Sequence, residues 1–559
     1  MSALPDVQHR SALSDSRQPP FLAVPPFPGS SVRRFHRLAQ ISGEPVSLRE
    51  SVALIREKRV GGAFWAAQPQ LPPSYLLVRS AADAASIDTL AEQHGGVLAW
   101  VPARAAAQSK WPTVVGDCDP WHMLSGANAV VCDASNEVRI VAAILGIPAY
   151  LIDAHGGGPP RLDGDGEALL ANALPVAASF SNPFSDDPMN LIELIDLCGF
   201  WRSLIDANRA IDCAIGFAFW KQEAVLPLLW GGGDSSAFFR DSPGKDQNGA
   251  VAIWRSKASP EVAQRLDRGG TPVVEVEDGF LRSKGLGADC IPPLSITVDH
   301  HGPYFDPGQP SELETLLQLG RFDQQLLGRA RRLRETIVAA GLGKYDRSDA
   351  ILDRLDDTKR HILVAGQVED DRSVLAGGCG LVSNLDLLRR VRAREPDAFL
   401  VYKPHPDVVA GHRQGGIPDN VCRQFANIVM SDAPISSLIG MVDEVHVNTS
   451  LAGFEALMRH KKVTTYGVPF YAGWGLTCDL GPVPARRSSR RSLDELVAAT
   501  LLIYPRYLDP VTGLPCPAEV VVDRLAEPGL RRAGPLVRLR RLQGRCRRRL
   551  ATWLPGQRG

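Results

Sequence analysis

From residue 34 onward, short continuous apolar runs alternate with longer stretches whose apolar positions recur at helical spacing. Residues 75–78 (YLLV), 96–101 (GVLAWV), 129–132 (AVVC) and 148–152 (PAYLI) are apolar runs with the length of buried strands. Helix-length segments separate them, and that alternation predicts an α/β unit built on a parallel sheet. A cluster of Gly, Pro and Asp at 156–166 (GGGPPRLDGDG) predicts a loop or boundary. Beyond residue 182 the alternation becomes longer and more regular. A helix is expected over 191–209 and an apolar strand or buried turn over 213–220. Strands are expected at 250–254, 273–276, 361–365, 399–402, 445–448 and 462–466. The clearest helix runs over 383–395, where Ser383 and Asp386 have the spacing of a capping box and Pro396 enforces the stop.

The simplest architecture is an α/β chain with two sequential Rossmann-like domains and a cleft between them, preceded by a further α/β domain. The divisions expected are 1–33, 34–181, 182–357, 358–510 and 511–559. The first of these carries Pro19, Pro20, Pro25, Pro26 and Pro28 among Ser and Asp, a composition predicted to be disordered.

Composition narrows the function classes. The chain has 559 residues, 44% of them hydrophobic, which is apolar material for several domains. Lys plus Arg and Asp plus Glu both number 62, so the net charge is +0 and no global field favours nucleic acid as a partner. Charge arguments must therefore be local. The one strongly basic stretch, 531–549, interleaves arginines with Leu536, Leu539 and Leu542 and is followed by Leu550 and Trp553. It reads either as a basic amphipathic segment resting on anionic lipid or as a solvated end. The 10 cysteines form no CxxC pair and no zinc spacing, so reduced thiols and no metal site are expected. No secretory signal pattern and no apolar run of about 18 residues is present, which predicts a cytoplasmic protein.

In an α/β protein, chemistry collects on loops beyond the carboxyl ends of strands. Four such segments stand out. In EVEDGFLRSKGLG (275–287), Glu277 and Asp278 end a strand beside Arg282, an arrangement that gives a general acid/base and an oriented partner, or a structural turn in which Asp278 caps and Arg282 pairs with Glu277. In GQVEDDRS (366–373), three consecutive acids at a strand mouth are costly to hold together unless a cation or an electrophile faces them, the alternative being a solvated acidic turn. In YKPHPD (402–407), Pro404 and Pro406 fix the directions of Lys403 and His405, two groups suited to a phosphate or carboxylate leaving group. In NTSLAGFE (448–455), Thr449 and Ser450 occupy N-cap positions, Gly453 allows close approach and Glu455 suits a ribose diol, against the alternative of a plain cap. A Gly/aromatic loop at 467–477 (GVPFYAGWGLT) is suited to enclosing a ligand or to filling core. No P-loop, GxSxG, HExxH or GxGxxG stands in its required context.

Taken in order, EDGFLRSKGLGADCIPPLS from Glu277, QVEDDRS from Gln367, YKPHPDV from Tyr402, TSLAGFEAL from Thr449 and YGVPFYAGWGLT from Tyr466 resemble the bacterial capsule-polysaccharide β-Kdo transferases of the KpsC (LipA) type. The resemblance covers about residues 182–510. It implies a GT-B fold, with 182–357 as acceptor domain and 358–510 as donor domain. It further implies a CMP-Kdo donor, retention of the β-anomer, no cofactor or metal, and a (Kdo)n-phosphatidylglycerol capsule-linker acceptor. By the same resemblance Asp371 is the nucleophile, with Glu277 or Asp278 as acid/base. Lys403 and His405 hold the phosphate or the donor carboxylate, Arg282 pairs with the sugar carboxylate, and Ser283, Gln367 and Ser373 belong to the substrate site. Thr449, Ser450, Gly453 and Glu455 bind the nucleotide. The implied setting is the inner face of the cytoplasmic membrane, near capsule export machinery.

By the same resemblance, relatives often carry two such modules in tandem, and this chain is too short for two complete ones. Residues 119–148 (DPWHMLSGANAVVCDASNEVRIVAAILGIP) resemble a decayed counterpart of the last sheet of a first module, without TSxxGFE, KPHP, EDGF or QxxxD segments around it. The expectation is one active module and one degenerate structural half. Two other functions compete: a GT-B transferase of another activated sugar or of a polyol phosphate, and a non-catalytic capsule-export scaffold. The EDGF and QVEDDRS acids count against both.

Overall fold

The computed structural model describes residues 21–39, 46–79, 84–101, 110–152, 160–185, 187–244, 248–282, 290–343, 352–411 and 413–527. Its first sheet is built on the apolar runs read above. Across the sheet the strands are Thr113–Val115, Val97–Val101, Tyr75–Val78, Ala127–Asp133, Ala149–Ile152 and Arg161–Leu162, the first five parallel and the last antiparallel. Leu76, Val78, Ala129, Val131 and Ile152 from three of these strands bury one face together with Ile87 and Leu90 of helix Ala84–His94. Burial on both faces is why these strands read as continuous apolar runs.

Two further sheets follow. One has seven strands in the order Phe239–Arg240, Ile211–Ile215, Ala250–Ile253, Val273–Asp278, Ser295–Asp299, Pro505–Leu508 and Pro515–Cys516. Its first four are parallel, and the remaining three are joined antiparallel. The other has six strands, all parallel: Ile428–Val429, Phe399–Lys403, His361–Ala365, Glu444–Val447, Lys462–Thr465 and Cys478–Asp479. In the latter sheet and in the first one the spatial order is 3-2-1-4-5-6, that of a doubly wound nucleotide-binding sheet. After the six-stranded sheet the chain passes through Leu493–Val497 and the π-helical Ala498–Ile503, and returns to the seven-stranded sheet as Pro505–Leu508. The antiparallel strands were not anticipated: Ser295–Asp299 (SITVD) alternates polar with apolar residues and forms no continuous apolar run, and Pro505–Leu508 begins with a proline.

The chain divides into two compact units, residues 1–26 with 33–206 and residues 27–32 with 207–559. The division falls inside helix Leu191–Asn208 rather than at 181/182, because a helix of 18 residues with Leu191, Leu194, Ile195, Cys198, Trp201 and Ile205 buried cannot be split off as a linker. The proline-rich beginning also departs from the expected disorder. From residue 21 onward it is pinned by aromatic anchors, with Phe21 buried, and Phe27 edge-on to Trp230 at 5.1 Å in the second unit. Residues 1–20 and the basic stretch 531–549 lie outside the described residues. Among the described residues no helix is long and apolar enough to cross a membrane.

Candidate active site

Within the second unit, one cleft of about 1410 Å³ collects the segments that follow eight strands. From the seven-stranded sheet come 216–221 after Ile211–Ile215, 254–257 after Ala250–Ile253, and the last two residues of Val273–Asp278. From the six-stranded sheet come 365–374, 403–410, 431–435, 449–455 and 469–470. Backbone amides and polar side chains concentrate there because parallel strands all end on one side.

On the first wall, Glu277 and Asp278 have different surroundings. Glu277 is 16% exposed, and its Oε1 accepts from Arg372 Nη1 at 2.6 Å. Burial pushes its carboxyl up to about 7, with Asp278 and Glu275 adding to the rise; Arg372 and Lys221 pull the other way. A carboxyl poised near neutrality can take or give a proton at working pH. Asp278 instead has a cation on each oxygen: Lys221 Nζ donates to Oδ1 at 3.1 Å, and Arg282 Nε lies 3.0 Å from Oδ2. Arg282 is 1% exposed and also donates to the Ile291 carbonyl at 3.0 Å, so its guanidinium braces Asp278 and the loop end. Ser283 lies outside the described residues.

The second wall begins with Gln367 to Ser373. Asp371 is the N-cap of helix Arg372–Gly377; its Oδ2 accepts from Ser373 N at 3.2 Å and from Ser373 Oγ at 2.7 Å. Oδ1 is 3.8 Å from Arg413 Nη2, and the side chain remains 46% exposed toward the cleft. Arg413 also donates to Asp370 at 3.2 Å, which answers how three consecutive acids are held together. Because Arg372 directly follows Asp371 and bonds Glu277, one residue ties the acid of the seven-stranded sheet to the capped helix that follows a strand of the six-stranded one.

Gln367 is a clamp. Its Nε2 donates to Thr449 Oγ1 at 2.8 Å and its Oε1 accepts from Thr449 N at 2.9 Å, which joins two strand-end loops side by side. Thr449 is therefore fixed by Gln367 and does not cap the next helix. That helix, Ala452–Met458, starts after Leu451, with Ser450 Oγ accepting from Ala452 N at 3.3 Å. The close approach expected at Gly453 is made by protein: a Cβ there would lie 2.2 Å from the Tyr471 hydroxyl, which donates to the Ser450 carbonyl at 2.5 Å. Glu455 is buried on the same helix and lines the cleft. Lys403 is buried and donates to the Ser431 carbonyl. His405 Nδ1 accepts from Asp407 N at 3.1 Å, an arrangement that puts the ring proton of the neutral imidazole on Nε2.

Of the sequence-predicted residues, the cleft brings together Glu277, Asp278, Arg282, Gln367, Asp371, Ser373, Lys403, His405, Thr449, Ser450 and Glu455, whereas Gly453 serves the packing of Tyr471 behind it. Sequence reasoning missed Lys221, Arg372 and Arg413. Lys221 was findable by the rule already applied: it follows a strand and Gly216, whose φ of +81° and whose absent Cβ, 2.5 Å from the Trp254 carbonyl, mark a tight strand exit. Among the described residues no group of three or more His, Cys, Asp or Glu is arranged to hold a metal ion.

The sequence profile of the capsule polysaccharide biosynthesis protein family matches residues 249–507. The capsule polysaccharide modification protein LipA of Neisseria meningitidis (serogroup A, serotype 4A) is 37% identical over 362 residues, which is 64% of this chain and 51% of LipA. The lipopolysaccharide-processing protein LpsZ of Rhizobium meliloti is 45% identical over 281 residues, 50% of this chain and 64% of LpsZ. The chain thus spans about half the length of the LipA relatives it matches. The solved structure of the KpsC β-Kdo 2,4 transferase from Thermosulfurimonas dismutans is 31% identical, with a TM-score of 0.50 over 56% of this chain and 98% of that one.

Proposed function

The chain belongs to the KpsC/LipA-type family of capsule Kdo transferases, and on that premise we propose that it is a retaining β-Kdo glycosyltransferase with a GT-B module. The donor is CMP-Kdo and the acceptor is a lipid-linked Kdo of the capsule linker, reached from the inner face of the cytoplasmic membrane. The observation that carries this reading is the Arg372 bridge, which brings Glu277, with its carboxyl near neutrality, and Asp371 to one cleft.

The reaction runs in two displacements. An Asp371 oxygen attacks the anomeric carbon of Kdo, the bond to the phosphate oxygen breaks, and CMP leaves with the electron pair. Lys403 and His405, on their proline-held turn, together with the backbone amides of Ser450 and Leu451, offset the negative charge on the leaving phosphate. The acceptor hydroxyl then attacks the same carbon from the face CMP vacated. Its proton passes to Glu277, and Asp371 is released as a carboxylate. Glu455 holds the ribose diol of the nucleotide. Two inversions restore the β-configuration, and no cofactor takes part. The first unit, whose sheet shares the 3-2-1-4-5-6 order, is the degenerate half of a tandem ancestor.

The test is to incubate the purified chain with CMP-Kdo and a synthetic Kdo-lipid acceptor. CMP release matched by one added Kdo mass on the acceptor supports the reading; CMP-Kdo left intact contradicts it.

A further inference from the structure

Lys221 is a buried ammonium at the edge of the cleft that the mechanism above does not use. Its Nζ lies 3.3 Å from the centroid of the Trp254 ring and 5.3 Å from that of Trp220, and it donates to Asp278 Oδ1 at 3.1 Å. An ammonium has three N–H donors. Only one finds an acceptor among the described residues, although the residue is 8% exposed. Burial lowers its pKa despite the attraction of Asp278, so the site holds a cation whose hydration has been removed and only partly replaced. Such a position calls for oxygen atoms from outside.

Three neighbours point to the same ligand. Phe219 is 73% exposed, lines the cleft, and makes no ring contact among the described residues. Helix Phe219–Leu229, of 11 residues, begins there after Ala218 without a side-chain cap, and its first residues line the cleft. Lys257, on the strand-end loop of the adjacent strand, is exposed, lines the same wall and forms no ion pair among the described residues. An exposed aromatic face beside a desolvated ammonium fits an acidic sugar: apolar ring face on Phe219, carboxylate on Lys221.

We propose that residues 218–221 with Lys257 form the acceptor subsite, in which Lys221 and the open helix start take the carboxylate of the acceptor sugar and Phe219 lies against its ring. This rests on the transferase reading. The group belongs to the acceptor and not to the donor because it stands on the wall that carries Glu277, whereas Lys403, His405 and Ser450 stand on the other.

Steady-state kinetics test this with two acceptors, one ending in Kdo and one in which that carboxylate is an amide. For the wild-type protein kcat/KM should fall at least about tenfold from acid to amide. In Lys221→Met that preference should vanish through loss of the acid acceptor, with the KM for CMP-Kdo unchanged, and Lys221→Arg should restore part of it. Phe219→Ala, at an exposed position where folding is not at stake, should raise the KM for both acceptors several-fold and leave the acid/amide ratio intact. An unchanged ratio in Lys221→Met, or a rise in donor KM in its place, overturns the inference while the transferase reading stands. A wild-type protein that releases no CMP from CMP-Kdo overturns that reading, and the inference with it.

Discussion

Glu277→Gln separates the two half-reactions. Burial raises the Glu277 carboxyl from the ordinary 4.5 to about 7, and as the base that takes the acceptor proton it must be ionised. The wild-type kcat/KM for the acceptor should therefore rise with pH and level off above about 7, falling about tenfold per unit below it. Glutamine keeps the shape and the bond from Arg372 but takes no proton. Acceptor transfer should drop by about 10²- to 10⁴-fold and lose that limb, while CMP is still released in a burst of one equivalent. Arg372→Met adds a sign test. Arg372 is the largest influence pulling this pKa down, so its loss should move the limb to higher pH. Stability gives an independent reading. A carboxyl whose folded pKa is raised contributes fully below the unfolded value of 4.5, and that contribution is lost as pH rises through about 7. At ~1.36 kcal/mol per pH unit the gap is worth roughly 3 kcal/mol, so Glu277→Gln should gain on the wild type by up to that amount between pH 5 and pH 8 in denaturant titrations. A limb that survives in Glu277→Gln, or one that moves to lower pH in Arg372→Met, would refute this reasoning.

Gly453→Ala should cost about 1–3 kcal/mol in denaturant titration, because its methyl meets the Tyr471 hydroxyl at 2.2 Å; Tyr471→Phe in the same chain should recover part of that loss, and additive effects would exclude the clash. Transfer should persist in EDTA, since Lys403, His405 and the amides near Ser450 supply the positive charge a single phosphate needs; activity lost with chelator and restored by magnesium would contradict this. In the first unit, Asp133→Asn and Glu137→Gln should leave kcat and KM within about twofold, and a variant there that loses turnover with an unchanged Tm would assign that half a catalytic part.

The parallel strands were legible because burial on both faces leaves an apolar run such as HILVA at 361–365, and the chemistry was legible where a strand ends in charge, as at Glu277 and at Gln367 to Asp371. What could not be read were relations set by tertiary packing. Gly453 looked like a ligand contact because sequence does not say that Tyr471, 18 residues on, fills the space. Thr449 looked like a cap because its partner Gln367 is 82 residues away. Proline-rich composition hid the anchoring of Phe27, since a single aromatic on an extended segment raises no periodic signal. Lys221 was passed over because its neighbours Phe219 and Trp220 read as core, whereas Phe219 is exposed.

The central claim is that Asp371 is the nucleophile, although in the unliganded chain it caps a helix through Ser373. The cap bonds are made to Oδ2 and leave Oδ1 outside the cap, 3.8 Å from Arg413 Nη2, so both roles fit one residue. The direct measurement is intact-protein mass spectrometry of the chain quenched after mixing with CMP-Kdo in the absence of acceptor, followed by peptide mapping. The account predicts one added Kdo mass located on Asp371, absent in Asp371→Asn, whose turnover falls by several orders of magnitude while CMP affinity changes little. An adduct on Glu369 or Asp370, or near wild-type transfer by Asp371→Asn, would contradict it.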